Sequence, residues 1–115
     1  MLQAIRFWMS LEGVSFITAA LIHFGLLIQG YEHEKAGIAE SVIAVVLVIG
    51  LAWTWMMPRS IRRIGLATQM FALLATLVGI FTIAVGVGPR TAPDIAYHIG
   101  IVAVLACGLI VTARA

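Results

Sequence analysis

The chain of 115 residues is strongly apolar: 63% of its residues are hydrophobic, only 10% are charged, and the mean hydropathy is +1.12. A soluble globular domain usually has about a quarter of its residues charged, so this composition excludes that class. The formal net charge of +2 comes from basic residues at the ends of apolar stretches, so lipid headgroups are the expected counterions and nucleic acid is not an expected partner.

Four apolar stretches are each long enough to cross a bilayer, because a hydrocarbon core of about 30 Å needs roughly 20 apolar residues as helix. The expected spans are residues 5–28, 36–57, 64–87 and 92–112. The sequence therefore predicts an all-α integral membrane protein with a single four-helix transmembrane domain over residues 1–115.

Turn residues and proline set the expected ends of the spans. Gly30 ends the first span before a polar loop, and Pro58 ends the second because proline lacks a backbone N–H and disfavours helix in the residue before it. Glycines followed by Pro89 end the third span. Thr91, with Asp94 three residues later, predicts a capping box that opens the fourth helix.

The basic residues divide unevenly between the two sides of the membrane. Five lie on one side (Arg6, Arg59, Arg62, Arg63 and Arg114) and two on the other (Lys35 and Arg90). Because short loops rich in Lys and Arg stay cytoplasmic, both termini are expected inside. Short turns favour an up-down-up-down bundle whose first and fourth helices touch. The small size and short loops indicate a bacterial inner (plasma) membrane protein.

Small residues mark the helix faces that are expected to pack, since close approach drives helix association in lipid. On the third helix the stripe includes Gly65, Gln69, Ala72 and Thr76, and on the second it is Gly37, Ser41 and Ala44. On the fourth it is Gly100, Ala103 and Cys107, and Cys107 is the only cysteine, so an intramolecular disulfide is excluded.

Ionisable residues inside the spans need an explanation, because a charged group at the centre of a span costs about 3 kcal/mol. His23, Glu40 and His98 lie roughly 7 to 10 Å inside the outer ends of their helices, so they share one layer. We expect them to converge on one polar site in the outer half of the bundle. His33 is expected to fold over this site, and Asp94 to orient the His98 ring.

Two imidazoles and a carboxylate suit a divalent transition metal, and two imidazoles on facing helices suit a haem. A small polar ligand such as a quinone headgroup is a third possibility. Alternatively, His23 and His98 only hold the bundle together through hydrogen bonds, as in an accessory subunit of a membrane complex. No nucleotide-binding, hydrolase or metalloprotease motif is present, so enzymatic activity is not predicted.

Glu12 lies on the same face of the first helix as His23, since eleven steps of about 100° return to nearly the same direction. A polar stripe of this kind predicts a proton-linked role for Glu12, because intramembrane acids are functional candidates by default. The alternative is a buried carboxyl group that forms a hydrogen bond with Gln69 or Thr68 of the third helix.

With its length, four spans and Glu12 in the first helix, the chain resembles the small multidrug resistance transporters. The resemblance implies that this acid exchanges protons for a cationic drug within an antiparallel homodimer. The chain departs from the family in the uneven distribution of its basic residues between the two sides, in its three histidines and in its acidic outer loop, residues 31–35. Proton-coupled transport through Glu12 is therefore the alternative function, and a homo-oligomer or a larger membrane complex is the alternative assembly.

Overall fold

The computed structural model describes all 115 residues and contains four long helices and no strand. They are α1 (Leu2–His23), α2 (Glu34–Met56), α3 (Ile61–Ala84) and α4 (Ala92–Arg114), with a short 3-10 turn, Pro58–Ser60, before α3. All four are long and apolar enough to cross a membrane. The chain thus has the architecture of a small multi-pass membrane protein, and the predicted helical class is confirmed.

The helices form a four-helix bundle in which each one packs against the next and α1 also packs against α4. A central cluster joins all four helices through Phe16, Leu47, Ala72 and Leu105. Only 26 of the 115 residues are buried, and large apolar side chains cover the outside of every helix. An apolar surface of this extent is typical of a protein whose surroundings are lipid.

The small residues of α3 face inward as predicted, with Gly65, Gln69, Ala72 and Thr76 all buried. The prediction for α4 is wrong, because Gly100 and Cys107 are exposed. The buried residues of α4 are instead Asp94, His98, Ile101, Leu105, Gly108 and Thr112. Asp94 and Thr112 find their partners on other helices, His23 and Gln69, only inside the bundle, so these contacts set the rotation of α4 and leave Gly100 and Cys107 facing outward.

Two helices end earlier than the sequence predicts. α1 ends at His23 rather than near residue 28, because Gly25 adopts a φ of 76°, a conformation that other residues rarely accept. α3 ends at Ala84 rather than near residue 87, just before Gly86 with a φ of 89°. The loop after α1 then folds back, and the His33 N–H donates to the His23 carbonyl at 2.8 Å. His33 is thereby held beside the end of α1.

The capping box at the start of α4 is present as predicted. The Thr91 hydroxyl accepts from the Asp94 N–H at 3.3 Å, and the Asp94 carboxylate accepts from the Thr91 N–H at 3.2 Å. This local arrangement fixes the Asp94 side chain at the first turn of α4. It lies close to where α1 ends and α2 begins, and we call this part of the bundle the His23 end.

Candidate functional site

The His23 imidazole is held between two carboxyl groups that come from two other helices. Its Nδ1 lies 2.9 Å from Oε2 and 2.8 Å from Oε1 of Glu40, and its Nε2 lies 2.9 Å from Oδ1 of Asp94. The ring is only 3% exposed, and both acids are buried. These three residues, which we call the His23 triad, join α1, α2 and α4 through one side chain.

The hydrogen bonds of the His23 triad require an additional proton. A neutral imidazole has one N–H, yet both ring nitrogens of His23 face carboxyl oxygens, which only accept when ionised. Either the ring is an imidazolium or one of the acids is protonated. Of the two acids, Asp94 is the one whose ionised form is better stabilised, because it also accepts from the backbone N–H and the hydroxyl of Thr91.

The helix termini favour charge separation in the His23 triad. His23 is in the last turn of α1, where the carbonyl ends favour a cation, and Asp94 is in the first turn of α4, where free N–H groups favour an anion. Glu40 lies in the second turn of α2 and has His23 as its only hydrogen-bond partner. Local helix geometry therefore favours an imidazolium–carboxylate pair between His23 and Asp94.

His98 is close to the His23 triad but does not share a partner atom with His23. Its Nδ1 donates to the backbone carbonyl of Asp94 at 2.7 Å, so its Nε2 is left as an acceptor, near Gly79 of α3. The sequence-based expectation was that the Asp94 side chain would orient this ring. The Asp94 carboxylate instead binds His23, and the Asp94 carbonyl orients His98.

The arrangement of donor groups does not provide a ready metal site. No group of three or more His, Cys, Asp and Glu side chains is placed to hold a metal ion. Both nitrogens of His23 already face carboxyl oxygens, and the His98 ring is oriented toward α3. Binding of a metal ion or a haem through His23, Glu40 and His98 stays a prediction that this geometry does not support.

His33 connects the two loops at the His23 end. Its Nδ1 accepts from the Ala36 N–H at 3.2 Å, which caps α2, and its Nε2 donates to the Val87 carbonyl at 3.2 Å. Its ring centroid lies 6.4 Å from that of His23. The expected position of His33 beside the site is therefore found, but its ring nitrogens are used by the backbone.

A cavity of about 200 Å³ lies beside the His23 triad, between α2, α3 and α4. Glu40, Tyr97 and His98 line it together with Phe16, and His33 lies at its loop side. The buried Tyr97 hydroxyl has no hydrogen-bond partner, and Glu40 Oε1 has none apart from its ion-pair contact with His23 Nδ1 at 2.8 Å. Since buried polar atoms are nearly always paired, the free hydroxyl of Tyr97 and the remaining acceptor capacity of Glu40 suit a site for a polar ligand.

A wider groove of about 490 Å³ lies between α1 and α4 and includes His23 and Asp94. Tyr97 lines both this groove and the cavity beside Glu40. Sequence reasoning missed Tyr97, whereas it found the capping box through which Thr91 supports Asp94. The capping box contained the signal for Thr91, but Tyr97 could be found only from its place between Phe16 and His98.

Glu12 lies apart from the His23 triad, since eleven residues of α1 separate it from His23, a distance of roughly 16 Å along the helix. It is fully buried against α3 and α4, beside Gln69 and Gly108. The bundle thus contains two separate polar clusters. Comparison with protein-family models, with curated proteins and with solved structures finds no match, so function must be argued from these two clusters.

Proposed function

We propose that the protein is a membrane protein that binds a small ligand with an ammonium group in the cavity beside Glu40. The observation that carries this proposal is Oε1 of Glu40, a buried carboxyl oxygen of a cavity-lining residue whose only close partner is the ion-pair contact with His23 Nδ1. The ligand would be held by Glu40, His98 and Tyr97. His23 would act on it indirectly, by positioning Glu40.

The charge of the His23 triad favours a cationic ligand. With His23 as an imidazolium between two carboxylates, the three side chains carry one excess negative charge. Burying an uncompensated charge costs several kcal/mol, and a bound cation offsets that cost. Because Thr91 and His23 already satisfy Asp94, the excess negative charge is best placed on Glu40.

The hydrogen-bond capacity of the cavity also favours an ammonium group. Glu40 Oε1 and His98 Nε2 are acceptors, and an ammonium group can supply three donors to them. The cationic residue of the lining, Lys35, is exposed, and the Tyr97 hydroxyl can donate or accept. Phe16 and Tyr97 pack edge to face, with ring centroids 6.4 Å apart, and both line the cavity. Aromatic rings beside a desolvated cation add an attraction of about 2 kcal/mol.

The distribution of basic residues supports a position of this cavity at the outer side of the membrane. An up-down-up-down bundle with both termini cytoplasmic places the His23 end at the outer side of a bacterial plasma membrane. Reporter fusions after Arg114 should then read cytoplasmic, and fusions within residues 31–35 should read external. A C-terminal fusion that reads external would reverse the orientation and place the cavity at the cytoplasmic side.

The binding test compares a cation with a neutral molecule of similar shape. Purified protein in nanodiscs should bind benzylammonium, but not benzyl alcohol, in isothermal titration calorimetry. Glu40→Gln removes the negative charge and should abolish this preference, whereas Glu34→Gln, on the exposed side of the same helix, should preserve it. Equal binding of both probes, or an unchanged preference in Glu40→Gln, would contradict the proposal.

A further inference from the structure

A second polar cluster joins α1, α3 and α4 at a distance from the His23 triad. It consists of Glu12, Gln69 and Thr112, all 0% exposed, together with Gly108. Both carboxyl oxygens of Glu12 and the Oε1 of Gln69 are buried without any hydrogen-bond partner. Three unsatisfied acceptors in one place require a missing donor, because buried polar atoms are nearly always paired.

The orientation of the Gln69 amide follows from its neighbours. Its NH₂ donates to the Gly65 carbonyl at 3.0 Å and to Thr112 Oγ1 at 2.7 Å. The Gly65 carbonyl can only accept, and the Thr112 hydroxyl donates its own hydrogen to the Gly108 carbonyl at 2.8 Å. The amide nitrogen must therefore face these groups, and Oε1 is left without a donor.

Gly108 allows Oε1 of Glu12 and Oε1 of Gln69 to lie side by side. A Cβ added at Gly108 would collide with both oxygens, so the two occupy the space that a side chain would fill. No Lys, Arg or His side chain pairs with Glu12, since both ion pairs of the chain are made by His23. The groups that α3 and α4 place here, Gln69 and Thr112, are uncharged.

We propose that Glu12 is a proton-binding site and that its carboxylic acid donates a hydrogen bond to Gln69 Oε1. One proton supplies a donor that joins two of the three unsatisfied oxygens, and it removes the charge of an acid buried among apolar helices. Hard metal cations fit less well, since Ca²⁺ takes six to eight oxygen ligands and the cluster has three free oxygens. The site is independent of the ammonium-binding function proposed for the cavity beside Glu40.

The proton also holds three helices together. Loss of the proton would place a carboxylate against the carbonyl oxygen of Gln69. Relief requires the Gln69 amide to rotate, which breaks its hydrogen bonds to Gly65 and Thr112 and weakens the contact between α3 and α4. Glu12 therefore couples release of a proton to a change in helix packing.

Infrared spectroscopy of the protein in nanodiscs at neutral pH tests the proposal directly. The spectrum should contain the C=O stretch of a protonated carboxylic acid, which should disappear in Glu12→Gln and persist in the control Glu40→Gln. The amide of Glu12→Gln can donate to Gln69 as the acid does, so the variant should remain folded. Absence of the band, or its persistence in Glu12→Gln, would overturn the proposal.

A second variant leaves the acid in place. Gln69→Leu removes the acceptor, so the C=O band should remain and shift to the frequency of an acid without a hydrogen bond. An unshifted band would show that Glu12 does not donate to Gln69. Addition of NaCl should leave the band of the unaltered protein unchanged, and loss of the band in NaCl would identify a sodium site in place of a proton site.

Discussion

The hydrogen bond between His23 and Glu40 gives the sharpest test of the charged triad, through a double-mutant cycle. The cycle compares His23→Gln, Glu40→Gln and the double variant, and it yields the coupling free energy of the pair. His23→Gln removes the only partner of Glu40 and leaves two buried carboxylates. Breaking a buried ion pair in this way costs about 3 to 5 kcal/mol of the free energy of unfolding.

The size of the coupling distinguishes a charged pair from a neutral one. Neutral hydrogen bonds between membrane helices average about 0.6 kcal/mol and reach about 1.7 kcal/mol. A hydrogen bond to a charged group contributes about 1.5 to 3 kcal/mol. Because His23 Nδ1 lies 2.8 to 2.9 Å from the Glu40 oxygens and both side chains are buried, we expect a coupling of about 2 to 3 kcal/mol.

Equilibrium unfolding in mixed micelles measures the four free energies. A control cycle pairs His23→Gln with Glu34→Gln, which changes an exposed acid on the same helix as Glu40. This cycle should give a coupling below about 0.5 kcal/mol. A coupling near 0.6 kcal/mol for His23 and Glu40 would refute the charged triad. It would leave only an ordinary neutral contact between α1 and α2.

Three further predictions concern other parts of the bundle. Gly108→Ala should lower the free energy of unfolding by about 1 to 3 kcal/mol, because the added Cβ meets Glu12 and Gln69. The control Gly100→Ala should not lower it, because a Cβ there meets nothing within 4 Å. Unfolding titrations that give equal losses for the two variants would contradict this. His33→Ala should cost about 1 kcal/mol through loss of the α2 cap, and unchanged amide exchange at Ala36 would contradict it. Backbone hydrogen bonds from Glu32 itself and from Gly30 hold the pKa of the Glu32 carboxyl below its ordinary value. These hydrogen bonds should therefore stabilise the loop fully at neutral pH, and the stabilisation should be lost as pH falls through the lowered pKa. Amide exchange of Gly30 measures this loss, and Glu32→Gln should remove the pH dependence.

The helices and the capping box could be predicted because their causes are local. Long apolar stretches, Pro58 and the spacing of Thr91 and Asp94 act within a few residues, so the sequence shows them directly. For α1 and α3 the sequence predicts ends that lie later in the chain than the observed ones. There the apolar composition continues, but glycines with positive φ turn the backbone away from the helix.

The partners of the polar residues depend on how the helices rotate against one another, and one sequence does not define these rotations. The spacing of four residues on one helix face predicts that Asp94 pairs with His98. The structure shows that the Asp94 side chain is already engaged by Thr91 and His23, so His98 binds the backbone carbonyl. Similarly, the small residues around Gly100 suggested a packing face, but the polar residues of α4 determine which face is buried.

The protonation of His23 underlies the proposed cation site, and ¹⁵N NMR of the histidine rings measures it directly. In nanodiscs at neutral pH, one of the three imidazoles should show two protonated nitrogens, and this signal should be absent in His23→Gln. His33 and His98 should each show one N–H and one nitrogen without hydrogen. Nδ1 of His33 accepts from the Ala36 N–H, and the single N–H of a neutral His98 lies on Nδ1, which donates to the Asp94 carbonyl. A bare nitrogen in all three rings would contradict the imidazolium between Glu40 and Asp94.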